Sequence, residues 1–473
     1  MYFNEDTTDY DEFRIEITHD PSANGFYLRA ESLAGTISQH PFTSPMSGKE
    51  VEQAFAGISR ANLEFTRSGP RDAVDVTKRI GARLFNAIYD TRVASLYQQS
   101  SFMAQEKGKN LRIRLVIDND RLALLPWEFL FDPVRQDFLT LSTLSPVVRQ
   151  WQWPDGPKLE AERQIDPPLR VLVIASESDD LEMSARDEIE MVNKIGKSSR
   201  SIEIVNVVLN ATREDLIKAI KKESYHVLHL IMSGWQRSSD YDQDSSSEDT
   251  GKKPQQKLML MGGNAETPEL CGVDQLRRAI KDPGDIRFLL LNGDRTDWFA
   301  GQLTYNIPAT LGWRGSNTVE AYLSFTRGFY SAIADGHPFE AAVTHGRKDI
   351  DLSYPGGKEW GMPVFYLQTP HSTSVRKQRK AKSIHVTGGA KGVNLSDSVR
   401  SEKQSKNPAS DREMTKLEAL LATAQENYST LKTLKQEMSK SVGGVPDYIE
   451  RQIHDAQSTI SKLRSQLKRL TNS

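Results

Sequence analysis

Thiols are nearly missing from this sequence: Cys271 is the one cysteine among 473 residues. Disulfide frameworks, cysteine-based zinc sites and dithiol redox pairs each need at least two thiols, so all three are excluded. A reducing, cytoplasmic compartment is the expectation. No apolar run approaches the roughly 18 residues that span a bilayer. The start, MYFNEDTTDYDEF, is acidic and polar where a secretory leader is basic and then apolar. No Gly-rich phosphate loop with its lysine follows any apolar run, which argues against nucleotide hydrolysis of the P-loop type. Asp240, Asp242 and Asp244 alternate like the start of a calcium loop, but Ser245 stands where such a loop needs Gly and Gly251 where it needs the bidentate Glu. The stretch 236–256 around them reads as an acidic surface insertion. Neither a metal nor a cofactor is expected.

Net charge is also small, −2, but it is the sum of two unlike parts. From His371 onward Lys and Arg exceed Asp and Glu by nine, which leaves −11 for residues 1–370. Asymmetry of that size marks a boundary. Residues 371–410 hold nine basic side chains and no Phe, Tyr or Trp, so they cannot bury enough apolar surface to offset the entropy of ordering. They read as a flexible basic linker. Arg376, Lys377, Arg379, Lys380 and Lys382 can touch phosphates, but without interleaved aromatics a solvated tether is the plainer reading.

Beyond the linker, 411–473 carries two apolar stripes. Ile449, Ile453, Ala456, Ile460, Leu463, Leu467 and Leu470 step by alternating fours and threes, an unbroken heptad seam. Leu417, Leu421, Ala424, Tyr428, Leu431, Leu434 and Met438 form a less regular one. Gly443, Gly444 and Pro446 separate them, which predicts an αα-hairpin or coiled coil. Two such helices leave apolar surface wet, so the hairpin is expected to self-associate, to bind a partner or to dock on its own core.

Residues 1–370 read as one α/β unit. Aliphatic runs recur at 111–117, 169–175, 202–208, 226–232, 286–292 and 363–368, with helical patterns between them at about 184–196, 213–223, 274–281 and 318–335. Near-continuous apolar strands require a sheet covered on both faces, hence a mostly parallel one. Thr212 is placed to cap the second helix, and Asn317 with Glu320 the last. Residues 1–110 predict an antiparallel β segment and a helical stretch around 81–105 that stay attached to the sheet of 111–370.

In an open parallel sheet, chemistry gathers at the carboxyl ends of the strands. One such end runs into Met232, Ser233, Gly234 and Trp235, another into Asn292, Gly293, Asp294 and Arg295. Several blocks now agree in order: LRIRLVIDNDRLALLPWEFLFDP with its Leu-Pro-Trp-Glu at 125–128, then LRVLVIAS, HVLHLIMSG, RFLLLNGD, a helix reading AYLSFTRGFYSAIADGHPFEAAVTHGRKDI at 321–350, and WGMPVFYLQ. Together they resemble CHAT domains, the caspase-like peptidase domains related to caspases and separases. The resemblance covers roughly 1–370.

It implies a caspase-like sheet and a His/Cys dyad: His closing a pattern like His-Phe-x-x-His-Gly, and Cys closing Leu-Asn-Ala-Cys. Here Ser233 stands in place of the His and Asp294 in place of the Cys. A serine accepts no proton near pH 7, and a carboxylate is a poor nucleophile toward an amide. No catalytic residue is therefore expected. His229, Gly234, Trp235, Asn292 and Arg295 are expected to line the old cleft, with Trp235 able to plug it. A cysteine peptidase with a non-standard site would need Cys271 beside His226 or His229, yet Cys271 precedes a helix in what reads as a loop, and buried packing is the commoner fate of a lone thiol. His337 and His345 read as packing or surface residues.

The expectation is a catalytically inactive pseudo-peptidase acting as scaffold, adaptor or regulator. The resemblance implies a bacterial defence or cell-death setting, with protein partners such as an NTPase sensor, a peptidase or an effector. The alternative is a nucleic-acid-associated adaptor binding through 371–410 and Lys462, Arg464, Lys468 and Arg469.

Overall fold

The computed structural model describes residues 9–376, apart from 21–24, 69–75, 118, 154–158, 160–162, 177–178, 233, 236–256, 261–268 and 281–285, and beyond them only Lys432, Gln457, Ser461 and Arg464. The chain divides into two units, Met1–Lys380 and Ala381–Ser473. In the second, the four described residues are helical and exposed. The hairpin positions Leu431, Leu434, Ile449, Ile453, Ile460, Leu463 and Leu467 lie outside the described residues, as does most of 371–410.

The first unit is built on an eleven-stranded sheet among the described residues. Its strands are β1 (Tyr10–Asp20), β2 (Gly25–Ser32), β3 (Gly35–Phe42), β4 (Asn110–Ile117), β5 (Val147–Gln150), β6 (Leu169–Ala175), β7 (Ile202–Val208), β8 (Val227–Ile231), β9 (Phe288–Asn292), β10 (Ala309–Trp313) and β11 (Pro363–Leu367). They lie in the order β7-β6-β8-β9-β10-β11-β5-β4-β1-β2-β3. Pairing is antiparallel at β10/β11, β1/β2 and β2/β3 and parallel at the other seven ladders. Every residue of β8, β9, β10 and β11 is buried, as a sheet covered on both faces demands.

The helices are α1 (Gly48–Ser68), α2 (Val76–Ile88), α3 (Thr91–Glu106), α4 (Asp120–Ala123), α5 (Asp179–Ser199), α6 (Arg213–Lys222), α7 (Val273–Ile280), α8 (Asp297–Leu303), α9 (Val319–Ala334) and α10 (Phe339–Ser353). Side chains of α5, α9 and α10 pack on one face of the β6–β8–β9–β10 region, and those of α6, α7 and α8 on the other. A further core joins α1–α3 to β1–β4. With β1 lying between β2 and β4, the first 110 residues share the sheet of the rest.

Four local expectations change. The stretch 321–350 is two helices, because Gly336 at φ 80° and Pro338 stop α9 and start α10. The cap of α9 is Thr318, whose hydroxyl accepts from the Ala321 N–H, and not Asn317, whose N–H donates to Asp294. The stretch 81–105 breaks at Asp90, whose carboxylate accepts from the Arg92 and Val93 N–H groups and caps α3. The basic linker is packed at its start, where Ser374–Val375 pairs with Gln164–Ile165 and Val375 is buried. The Thr212 cap is present as a full capping box with Asp215.

The motif at 125–128 acts as a charge-balanced plug. Trp127 is fully buried and donates to the Leu122 carbonyl at 2.8 Å. Glu128 receives Arg149 through both carboxylate oxygens, at 2.8 and 2.6 Å. Burial raises the Glu128 pKa, but the charges of Arg149 and Arg314 outweigh it and hold the carboxyl below its ordinary range.

Candidate functional site

Successive strand residues face opposite sides, so Val227, His229 and Ile231 of β8 share the face covered by α5 and α9. The one polar member of that row, His229, is 1% exposed, and a buried imidazole needs partners. Its Nε2 lies 3.0 Å from Glu188 Oε2 of α5, and its Nδ1 3.3 Å from the Tyr330 hydroxyl of α9. A proton on Nε2 satisfies both contacts, the tautomer being assigned from the hydrogen-bond network.

Asn292, the last residue of neighbouring β9, completes the cluster. Its Nδ2 donates to Glu188 Oε2 at 2.9 Å and to Thr326 Oγ1 at 2.8 Å. Its Oδ1 accepts from Trp313 Nε1 of β10 at 2.9 Å. Thr326 in turn donates to Glu188 at 3.0 Å. One carboxylate oxygen thus gathers donors from three side chains in a nearly water-free interior, and burial, with the Glu188 charge adding to it, drives the Tyr330 pKa well above its ordinary value. Charge-assisted bonds of this kind are worth more than neutral ones and leave a large penalty when one partner is lost.

Asp294 lies at the rim above this layer, two residues beyond Asn292. The turn carrying it is pinned by Thr296, whose hydroxyl donates toward the Gly293 and Leu291 carbonyls and accepts from the Trp313 N–H. Gly312 permits that approach, since a Cβ there would stand 2.4 Å from the Thr296 carbonyl oxygen. Asp294 is half-buried, and its Oδ1 accepts from the Tyr322 hydroxyl at 2.6 Å and from the Asn317 N–H at 2.9 Å. Arg295 is exposed, with φ 55°.

Of the residues expected to line the old cleft, His229 and Asn292 come together but lie in the interior at 1% exposure each. This corrects their placement: β8 and β9 are central strands, and the side chains facing α5 and α9 are roofed by those helices. Gly234 and Trp235 form a short strand that pairs with Lys257–Leu260, and Ser233 lies outside the described residues. Cys271 is on a strand, Glu269–Gly272, opposite Leu258, and not in a loop. It is fully buried against Leu258, Leu276 and neighbours of the α6–α8 core. Burial pushes its thiol up to about 11, against a weaker opposing effect of Arg213, so the sulfur is protonated at neutral pH and poorly nucleophilic. The rings of His337 and His345 are 4.9 Å apart.

Sequence reasoning missed Glu188, Thr326 and Tyr330. A usable signal existed: Glu188 shares a helical stripe with Ala185 and Val192, both buried, and a charge at i+3 and i−4 of buried positions calls for an internal partner.

A mostly parallel sheet between two helix layers, with polar side chains collected at the carboxyl ends of two central strands, defines an α/β protein of the class in which ligands and catalysis use that end. Comparison with known families matches residues 78–353 to the CHAT domain, and the chain belongs to that family. Among solved structures, a chain of the Saccharomyces cerevisiae separase–securin complex is similar at 12% identity and TM-score 0.38, over 77% of this chain and 30% of that one. No curated protein matches. Among the described residues no helix is long and apolar enough to cross a membrane.

Proposed function

We propose that this chain is a catalytically inactive CHAT domain, a pseudo-peptidase that works as a scaffold, adaptor or regulator through protein–protein contacts in a cytoplasmic bacterial defence or cell-death system. The reading takes Asp294 to stand in the nucleophile's place, as the family resemblance implies; the observation that supports it is that the Asp294 carboxylate is held by Tyr322 and the Asn317 N–H while the one thiol of the chain is buried in another layer. Among the described residues no imidazole or lysine pairs with Asp294, and an ionised carboxylate is a poor nucleophile toward an amide without electrophilic aid. The hairpin at 411–473 then serves self-association or capture of a protein partner.

The test treats purified full-length protein with an electrophilic cysteine probe and a peptide substrate library. No labelling and no cleavage are expected in the native state, with labelling of Cys271 appearing only on denaturation. Robust cleavage lost in Cys271→Ala would sink the reading.

A second reading rests on the charge excess beyond His371. A nucleic-acid adaptor would bind with an affinity that falls steeply with salt and is lost on truncation after Arg376, which spares the Ser374–Val375 strand. Binding insensitive to both rejects it.

A further inference from the structure

Among the described residues β7 closes one end of the sheet, and only one of its sides is paired, to β6. The Leu169 N–H donates to the Ser201 carbonyl at 2.7 Å, which sets the alternation. Ser201 and Glu203 turn their backbone groups toward β6, and Ile202 and Ile204 turn theirs outward. An outward row of N–H and C=O groups is a template for another strand. The usual safeguards are partial here: the register of β7 shifts between Ile204 and Asn206, but the strand has no proline and one charged residue, Glu203, and Val207 is 38% exposed.

A groove borders this strand on each face. One, of about 1000 Å³, runs against α6 and is lined by Asn206, Val208, Ile217, Lys221 and Lys222. The other, of about 870 Å³, runs against α5 and is lined by Ile189, Lys194, Lys197, Val207 and Leu209. An extended chain laid along β7 sends its side chains alternately to the two faces, and so into the two grooves in turn.

Charge selects the occupant. Lys194, Lys197, Lys221 and Lys222 are exposed and belong to no ion pair among the described residues, whereas Lys218 is held by Glu214 at 2.6 Å. Of the acids at the grooves, Glu269 accepts the Arg213 N–H and Asp215 is engaged in the Thr212 cap. Glu190 and Glu203 are left against four lysines.

We propose that β7 is a docking edge for an extended acidic peptide segment of a partner protein, added as a further strand with its carboxylates in the two lysine-flanked grooves. Main-chain pairing supplies affinity and the grooves supply selection. The inference does not rest on the catalytic reading, because an active and an inactive CHAT domain can carry the same edge.

The experiment titrates full-length protein into fluorescein-labelled Val-Val-Glu-Glu-Val-Val-Glu-Glu, with the matching Val/Lys octapeptide as control, and follows anisotropy at about 0.1 M salt. Saturable binding of the acidic peptide is expected, with the basic one roughly tenfold weaker or worse. The quadruple variant Lys194→Glu, Lys197→Glu, Lys221→Glu, Lys222→Glu should weaken binding by roughly tenfold or more. Ile204→Pro removes an outward N–H and no bond to β6, so it should abolish binding. Circular dichroism confirms that each variant is folded, and the quadruple variant, confined to exposed side chains, carries the test if Ile204→Pro is not. Equal affinity for both peptides overturns the proposal. So does binding unchanged in every folded variant, which places the peptide on the basic stretch after His371. A concentration-dependent dimer that ignores the peptide and is lost in Ile204→Pro also overturns it, in favour of edge pairing between two copies.

Discussion

Glu188, His229, Asn292, Thr326, Trp313 and Tyr330 hydrogen-bond one another at 0–2% exposure, while a few ångströms of chain further on Asp294 sits half-buried among a tyrosine hydroxyl, a backbone N–H and solvent. The two layers face different constraints. In the interior each donor needs its acceptor, because a lost partner leaves a group desolvated and unpaired. At the rim water can replace any partner that is removed. A fold of this kind can therefore change the residues that do chemistry while keeping the layer that holds their strands, and Asp294, proposed above to stand in the nucleophile's place, is at that rim.

Glu188→Leu puts the largest strain on this contrast. It strips His229 Nε2, Asn292 Nδ2 and the Thr326 hydroxyl of their common acceptor, and the expected loss of stability is about 3–5 kcal/mol, read from urea denaturation of the full-length protein. Asp294→Ala frees only the Tyr322 hydroxyl and the Asn317 N–H, both within reach of solvent, and should cost about 1 kcal/mol. Comparable losses for the two would erase the distinction between layer and rim.

Much of the architecture is legible in the sequence because burial on both faces forces long aliphatic runs, and β4, β6, β7, β8, β9 and β11 each coincide with one. β10, reading ATLGW, escapes notice because Thr310 and Gly312 interrupt its aliphatic pattern, and the turn at Thr296 requires that glycine. The run at 111–117 hides its own exception: Arg112 and Arg114 are both about 1% exposed, paired with Glu12 of β1, and Arg112 also with Glu340 of α10. Nothing local to β4 announces those partners, one about a hundred residues upstream and the other more than two hundred downstream. The site divides the same way. Asp294 and Asn292 are readable because they end a strand, whereas Glu188, Thr326 and Tyr330 reach the cluster from helices whose packing only the folded chain defines.

The smallest expected effect concerns the acids around that rim. Glu359 receives the Thr318 N–H at 2.6 Å and the Thr318 hydroxyl at 2.9 Å. Burial raises its pKa, the two Thr318 bonds lower it, and repulsion from Glu320 and Asp294 adds to the rise, leaving the carboxyl above its ordinary range. A carboxyl raised in the folded state holds its proton more tightly there than in the unfolded chain. Its contribution to stability is complete below the unfolded value, near 4.3, and is lost as pH climbs through the folded one. The stability of the wild type relative to Glu359→Gln should therefore decline as pH rises from about 4 toward neutrality, measured by urea denaturation of both proteins at each pH. In an Asp294→Ala background the decline should be shallower, because one of the repelling charges is gone. A difference that grows with pH would mean that the Thr318 bonds outweigh burial and repulsion together, and the rim would then be as well balanced as the layer beneath it.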